Sequence, residues 1–131
     1  MIVDTSALIA ILFGEPEAEK FAQIMAQAGT CRLSVVSRLE LDIVLDRQAA
    51  PDALRRAEVF LRMAAVVDEP VTLEQGSFAR QAFLDFGKGR HKAGLNFGDC
   101  FAYALAKALD EPLLFKGGDF GLTDVRIAAS A

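Results

Sequence analysis

The sequence predicts an α/β fold, a parallel sheet covered by helices on both faces, and three features carry that reading. Short apolar runs at Ile2-Val3, Arg32–Val35 and Pro112–Phe115 alternate with longer stretches of helical periodicity. Such alternation is how βα units are written, and strands buried on both faces read as unbroken apolar runs. The 131 residues, 53% hydrophobic and 24% charged, supply a core and a soluble surface for one domain. No repeat, low-complexity run or linker divides the chain, so residues 1–131 are read as a single domain.

The elements follow in order. Ile2-Val3 is a short buried strand, and Asp4-Thr5-Ser6 leads into a first helix through the apolar run Ala7–Phe13. Glu15–Ala28 is a second helix with Pro16 in its first turn, where a missing N–H costs little, and Gly29 is its C-cap candidate. Arg32–Val35 is the second strand and Ser37–Gln48 the third helix. Pro51–Ala64 is a fourth helix, Ala65–Val67 a short strand and Thr72–Phe86 a fifth helix. A Gly-rich basic loop, Lys88–Leu95, precedes a nearly wholly apolar sixth helix over Asn96–Leu109. Pro112–Phe115 is a strand, Gly117-Gly118 a turn and Val125–Ala128 a last strand.

Composition excludes several classes. The net charge is −4, whereas proteins that hold nucleic acid by bulk charge are basic. Either RNA is not the partner, or contact with it is local, through a bound cation and a small basic patch; an acidic protein would also suit a basic partner protein. No apolar run approaches the ~18 residues of a membrane span, and Met1 leads directly into a strand rather than a signal peptide. Cys31 and Cys100 lie far apart and outside any CxxC pair, which points to a reducing, cytoplasmic setting. The lone His91 cannot supply a zinc triad, and no GxSxG, Walker A or GxGxxG motif is present.

The informative residues are acids on apolar elements, since Asp and Glu are rarely buried without a partner. Asp4 ends the first strand, where open α/β sheets bind ligands, and it is equally an N-cap. Glu40 falls on one helix face with Val36, Ile43 and Val44, within an apolar stripe; its other reading is an edge position reaching solvent or Arg47. Asp99, three residues after Asn96, completes a capping box, which would also hold it ionised for a metal. Asp119 follows a strand and two glycines, and a turn-forming Asp is its alternative. Converging carboxylates need a cation, and all-oxygen ligands select Mg²⁺, with Mn²⁺ as a substitute. Phe97, Phe101 and Tyr103 at helical spacing, with Phe78, Phe83 and Phe86, are read as core rather than as base-stacking platforms.

Four stretches resemble the PIN-domain ribonucleases, and within them the VapC-type toxins of bacterial toxin–antitoxin pairs. They are Met1-Ile2-Val3-Asp4-Thr5-Ser6-Ala7-Leu8, Ser37-Arg38-Leu39-Glu40, the run from Gly87 through Asn96-Phe97-Gly98-Asp99-Cys100 to Phe101, and Leu113 through Gly117-Gly118-Asp119 to Phe120. The resemblance implies a three-layer α/β/α sandwich with Asp4, Glu40, Asp99 and Asp119 as its acidic quartet. Asp4 and Asp99 would be the direct metal ligands. It further implies a Mg²⁺-dependent endoribonuclease, a homodimer, and a cognate VapB-like antitoxin as partner. Gly117-Gly118 departs from relatives that carry a further acid or Asn before the final Asp.

On this reading Thr5 and Ser6 hydrogen-bond a carboxylate or phosphate, and Lys88, Arg90, His91 and Lys92 meet RNA phosphates, with Lys116 similar. For each basic residue a solvated loop is the alternative. An antitoxin helix would dock on the second to fourth helices and could present an arginine to the acids. Two rivals are a catalytically silent PIN-fold module that binds RNA or a protein, and a phosphotransferase-like enzyme with Asp4 as nucleophile. The second usually has another Asp two residues on, where this chain has Ser6.

Overall fold

The computed structural model describes residues 1–48 and 50–128. Its strands are β1 (Ile2–Val3), β2 (Arg32–Ser34), β3 (Val67–Glu69) and β4 (Leu113–Leu114). Its helices are α1 (Thr5–Leu12), α2 (Ala18–Gln27), α3 (Val35–Arg47), α4 (Ala53–Met63), α5 (Leu73–Phe86) and α6 (Phe97–Leu109). The four strands pair in parallel in the order β3-β2-β1-β4, with Ile2 opposite Arg32 and Leu113.

Alternate strand residues feed two separate cores. Val3 and Leu114 pack with Leu8, Ile24, Leu41 and Leu61 on one face. Ile2 and Leu113 pack with Ala82, Leu95, Ala102 and Leu105 on the other. The period of two along a strand sends neighbours to opposite faces, so two-residue strands suffice to join both helical layers. This is the expected three-layer α/β/α sandwich with a parallel sheet.

Local chemistry sets most boundaries. Ser34 caps α3 by accepting from the Val36 N–H, which ends β2 before Val35. Thr72 caps α5, and Asn96 with Asp99 forms the anticipated capping box of α6. Gly29 follows the end of α2 at φ +81°, a left-handed conformation that glycine adopts without strain. Helix α2 starts only at Ala18, leaving Pro16 in the preceding turn, and α4 starts at Ala53, two residues after Pro51.

Three expectations need correction. The strand placed at Ala65–Val67 begins at Val67, because Ala65 is left-handed at φ +52° and turns the chain there. The strand expected at Val125–Ala128 reduces to one bridge, Ile127 with Leu113, since the edge it pairs with is only two residues long. The buried face of α3 is Ser37, Leu41 and Leu45, with Val36 and Val44 half-buried and Ile43 exposed. Glu40 therefore lies beside the core face and not within it.

Candidate functional site

Strand order reverses between β1 and β4: the chain steps to β2 and β3 on one side and later returns to β4 on the other. A crevice opens at such a switch point, beyond the carboxyl ends of the strands. Asp4 leaves β1 there and Asp119 leaves β4, while α3 and the first turn of α6 bring Glu40 and Asp99.

Asp4 is the most constrained of the four. It is 5% exposed, and its Oδ2 accepts from the Ser6 backbone N–H at 3.0 Å and the Ser6 hydroxyl at 2.6 Å. The Ser6 Oγ in turn accepts from the Lys116 N–H at 3.0 Å, tying the end of β4 to the acid at the end of β1. Burial pushes the Asp4 carboxyl up, against the lowering effect of the Ser6 donors. The N-cap and buried-acid readings of Asp4 are thus the same geometry.

Glu40 is half-buried, and its carboxyl is pushed up to about 7 by burial first and then by the charges of Asp4 and Asp99. It makes no ion pair with Arg47 among the described residues. The Thr5 hydroxyl donates to the Ser37 carbonyl at 3.0 Å and lies 3.4 Å from Glu40 Oε1. Gly98 faces Glu40 so closely that a Cβ there would run into the carboxylate. Sequence reasoning passed over Gly98; its signal was a glycine in the first turn of an otherwise good helix, where the residue costs stability.

Asp99 exchanges hydrogen bonds with Asn96 in the capping box: its Oδ2 accepts from the Asn96 N–H at 3.0 Å. Its carboxyl is pushed up to about 6 by burial, with the charges of Asp4 and Asp119 adding, although the Asn96 N–H holds it down. Asp119 is exposed, stands at the start of a 3₁₀ turn over Phe120–Leu122, and caps nothing with its side chain. Asp119 does stand in a turn, its carbonyl accepting from the Leu122 N–H at 3.2 Å, but the turn is closed by backbone and leaves the Asp119 carboxylate uncommitted to a cap.

Thr5, the neighbour of Asp4, and Gly98, the neighbour of Asp99, both lie against the Glu40 carboxylate, which places the three acids around one space. Ten ion pairs occur among the described residues, and none includes Asp4, Glu40, Asp99 or Asp119. The cluster lacks a countercharge of its own. Among the described residues no three His, Cys, Asp or Glu side chains converge into a complete metal cage. What the arrangement can do chemically is take up protons, or share a cation that keeps other ligands.

The basic loop is a built structure. Gly87 and Leu95 bridge its ends, and Gly89 turns at φ +84°. His91 Nδ1 accepts from the Ala93 N–H at 3.0 Å and its ring meets Phe86 edge-on at 5.3 Å. Arg90 Nε donates to the Leu84 carbonyl at 3.2 Å. Lys88 and Lys92 are exposed. Lys116, by contrast, is held between Glu15 at 3.1 Å and Glu17 at 3.2 Å, a clamp that the sequence did not suggest. Among the aromatics, Tyr103 is core, but Phe83 is 47% and Phe97 79% exposed, against the expectation that both are core.

Comparison with known proteins agrees over the whole fold. The PIN domain family profile matches residues 1–125. A VapC ribonuclease of Mycobacterium bovis is 53% identical over 129 residues, covering 98% of this chain and 97% of its own. Among solved structures, the Mycobacterium tuberculosis toxin VapC20, described as cleaving the sarcin–ricin loop, superposes with TM-score 0.78 at 19% identity, covering 98% of each chain. A VapBC2 complex of Rickettsia felis bound to promoter DNA gives TM-score 0.76 at 12% identity, covering 96% and 94%. At these identities the two solved structures speak for the fold alone.

Proposed function

The chain belongs to the PIN-domain family, among its VapC ribonucleases, and from that premise we propose that it is a Mg²⁺-dependent endoribonuclease, the toxin of a toxin–antitoxin pair. The observation that carries the reading is the acid cluster: Glu40 sits against Gly98, next to Asp99, the carboxyls of Glu40 and Asp99 are pushed up by burial and then by the charge of Asp4 among others, and no ion pair among the described residues includes Asp4, Glu40 or Asp99.

The residues suit a hard divalent cation. The acids offer hard oxygen donors, and Mg²⁺ takes one or two carboxylates and keeps several waters. Asp4 and Asp99 would hold it. A bound ion would supply charge for the developing phosphorane and lower the pKa of an attacking water. The chain's own residues do the rest. Ser6 fixes the Asp4 carboxylate through Oδ2. Asn96 fixes Asp99 through its Oδ2. Glu40, seated against Gly98, orients the attacking water by accepting its hydrogen bond. Asp119, exposed at the mouth, completes the negative rim. Lys88 and Lys92 are placed to meet substrate phosphates.

The protein partner proposed is a VapB-like antitoxin, following from the chain's place among the VapC ribonucleases, and the toxin is proposed to be a homodimer. No described helix is long and apolar enough to cross a membrane, and the cytoplasm is the compartment proposed. The test is Mg²⁺ titration of RNA cleavage by the purified protein. Cleavage should appear with Mg²⁺, support substitution by Mn²⁺ and vanish with chelator. Cleavage indifferent to chelator would overturn the assignment.

A further inference from the structure

A groove of about 490 Å³ runs between α5 and α6, beside the acid cluster and outside it. Phe83, Phe97 and Phe101 line it, with Leu95 beneath and Arg80 and Lys88 at its border. Phe97 is 79% exposed, and its ring meets Phe101 edge-on at 5.1 Å. A ring so exposed at the start of a helix contributes little to the core, so its place in the groove needs another reason.

The surrounding charges narrow the occupant. Arg80, Lys88, Arg90 and Lys92 make no ion pair among the described residues, although the chain carries net charge −4. Arg90 instead lies over the Phe83 ring at 5.4 Å. Aromatic faces interleaved with cations that no acid neutralises are how single-stranded nucleic acid is held, the rings stacking bases and the cations following phosphates. A second copy fits less well, because an isologous interface sets the same patch against itself and would oppose like charges. The groove is also continuous with the acids: Phe97 and Asp99 share the first turn of α6, and Asn96 both lines the groove and donates to Asp99.

We propose that this groove binds an unstacked nucleobase of single-stranded RNA beside the phosphate held at the acid cluster, with Phe97 and Phe101 as the stacking surface. Arg80 and Lys88 take the flanking phosphates. The inference rests on the ribonuclease reading and adds the form of the RNA: single-stranded at the cut, with one base turned into the protein.

The chain has no tryptophan, so Phe97→Trp installs a single reporter. In an Asp4→Asn background, a single-stranded RNA of roughly ten nucleotides should quench it. Quenching should be lost when one particular nucleotide is made abasic, and when the RNA is annealed into a duplex. Phe97→Ala and Phe97→Leu should each weaken binding of the same RNA by about ten-fold, the scale of one lost stacking contact, and redistribute mapped cleavage ends. The proposal is overturned if the parent cleaves the RNA yet the tryptophan reports nothing and Phe97→Ala binds equally well. It is also overturned if Phe97→Ala converts a dimer to monomers without changing RNA affinity, since the occupant is then a second copy. If the parent neither binds nor cleaves RNA with Mg²⁺, the ribonuclease reading itself falls and takes the subsite with it.

Discussion

Arg38 and Glu40 are two residues apart on α3 and belong to two different gatherings of acids. Arg38 reaches Asp42 at 3.8 Å and Asp68 at 3.6 Å and is bonded to Glu58, binding α3 to α4 and β3. Glu40 feels the charges of Asp4 and Asp99, and no lysine or arginine pairs with any of the three among the described residues. The residue types are alike, and the difference is whether the protein supplies the positive charge. In the first group the charge is built in and the product is a structural link. In the second it is left out, and the carboxyls of Glu40 and Asp99 are pushed up, by burial first and then by the charges of the neighbouring acids. A protein that keeps acids together without neutralising them has destabilised that spot, which is common where a ligand completes the structure.

The strongest way to break the comparison is to remove charge from the Glu40 side. Asp99→Asn or Asp4→Asn keeps shape and loses charge, so Mg²⁺-dependent RNA cleavage should drop by roughly a thousand-fold, the upper range for losing one group that stabilises transition-state charge. Circular dichroism should show the fold intact. Unchanged cleavage by purified Asp99→Asn would sink the assignment. Next in size is Gly98→Ala. The added methyl displaces the Glu40 carboxylate, and cleavage should fall about 10- to 100-fold, as for groups that orient a metal site's ligands. A Gly98→Ala protein as active as the parent would mean that Glu40 has no fixed role.

Protonation sharpens the contrast. Glu40 and Asp99 have folded-state pKa values near 7 and 6, above those of the unfolded chain. The folded state then binds more protons at intermediate pH, and stability contributed by these groups is present below about pH 4 and lost as pH rises through 6 and 7. The metal-free protein should therefore melt at a lower temperature at pH 8 than at pH 5.5, by roughly 5 °C. Glu40→Gln should flatten that slope, and Mg²⁺ should restore the loss at pH 8. A melting curve series with no slope between those values would show that the acids do not share charge.

The smallest effect belongs to the other cluster. Arg38→Met leaves Asp42, Glu58 and Asp68 without their cation, but the groups are partly exposed and screened. Urea unfolding should show a loss of about 1 kcal/mol, with RNA cleavage preserved. A loss of cleavage equal to that of Asp99→Asn would merge the two clusters into one functional unit.

Much of this was legible in the chain because it is local. Asn96 and Asp99 close a capping box within one turn, Asp4 and Ser6 close a cap within two residues, and Ser34 and Thr72 start helices by the same chemistry. Side chains that bond the backbone two or three residues away leave their pattern in the sequence. Phe97 shows the opposite case: its spacing with Phe101 and Tyr103 reads as core, yet only Tyr103 is fully buried. Periodicity identifies an apolar face but not whether another element covers it.

By itself, then, the sequence determined the alternation of short strands and helices, the caps that start them, and the two acids, Asp4 and Asp99, that each hold a place in a local turn. Only the tertiary structure decided that Glu40 lies off the buried face of α3 and meets Gly98 across the interface with α6, that Lys116 is clamped by Glu15 and Glu17 rather than free, and that Phe97 stands open in a groove. The reason is range. Caps and turns are closed by neighbours in the chain, whereas the distance between α3 and α6, and the charge each acid feels from the others, exist only once the sheet has brought distant segments to the same end.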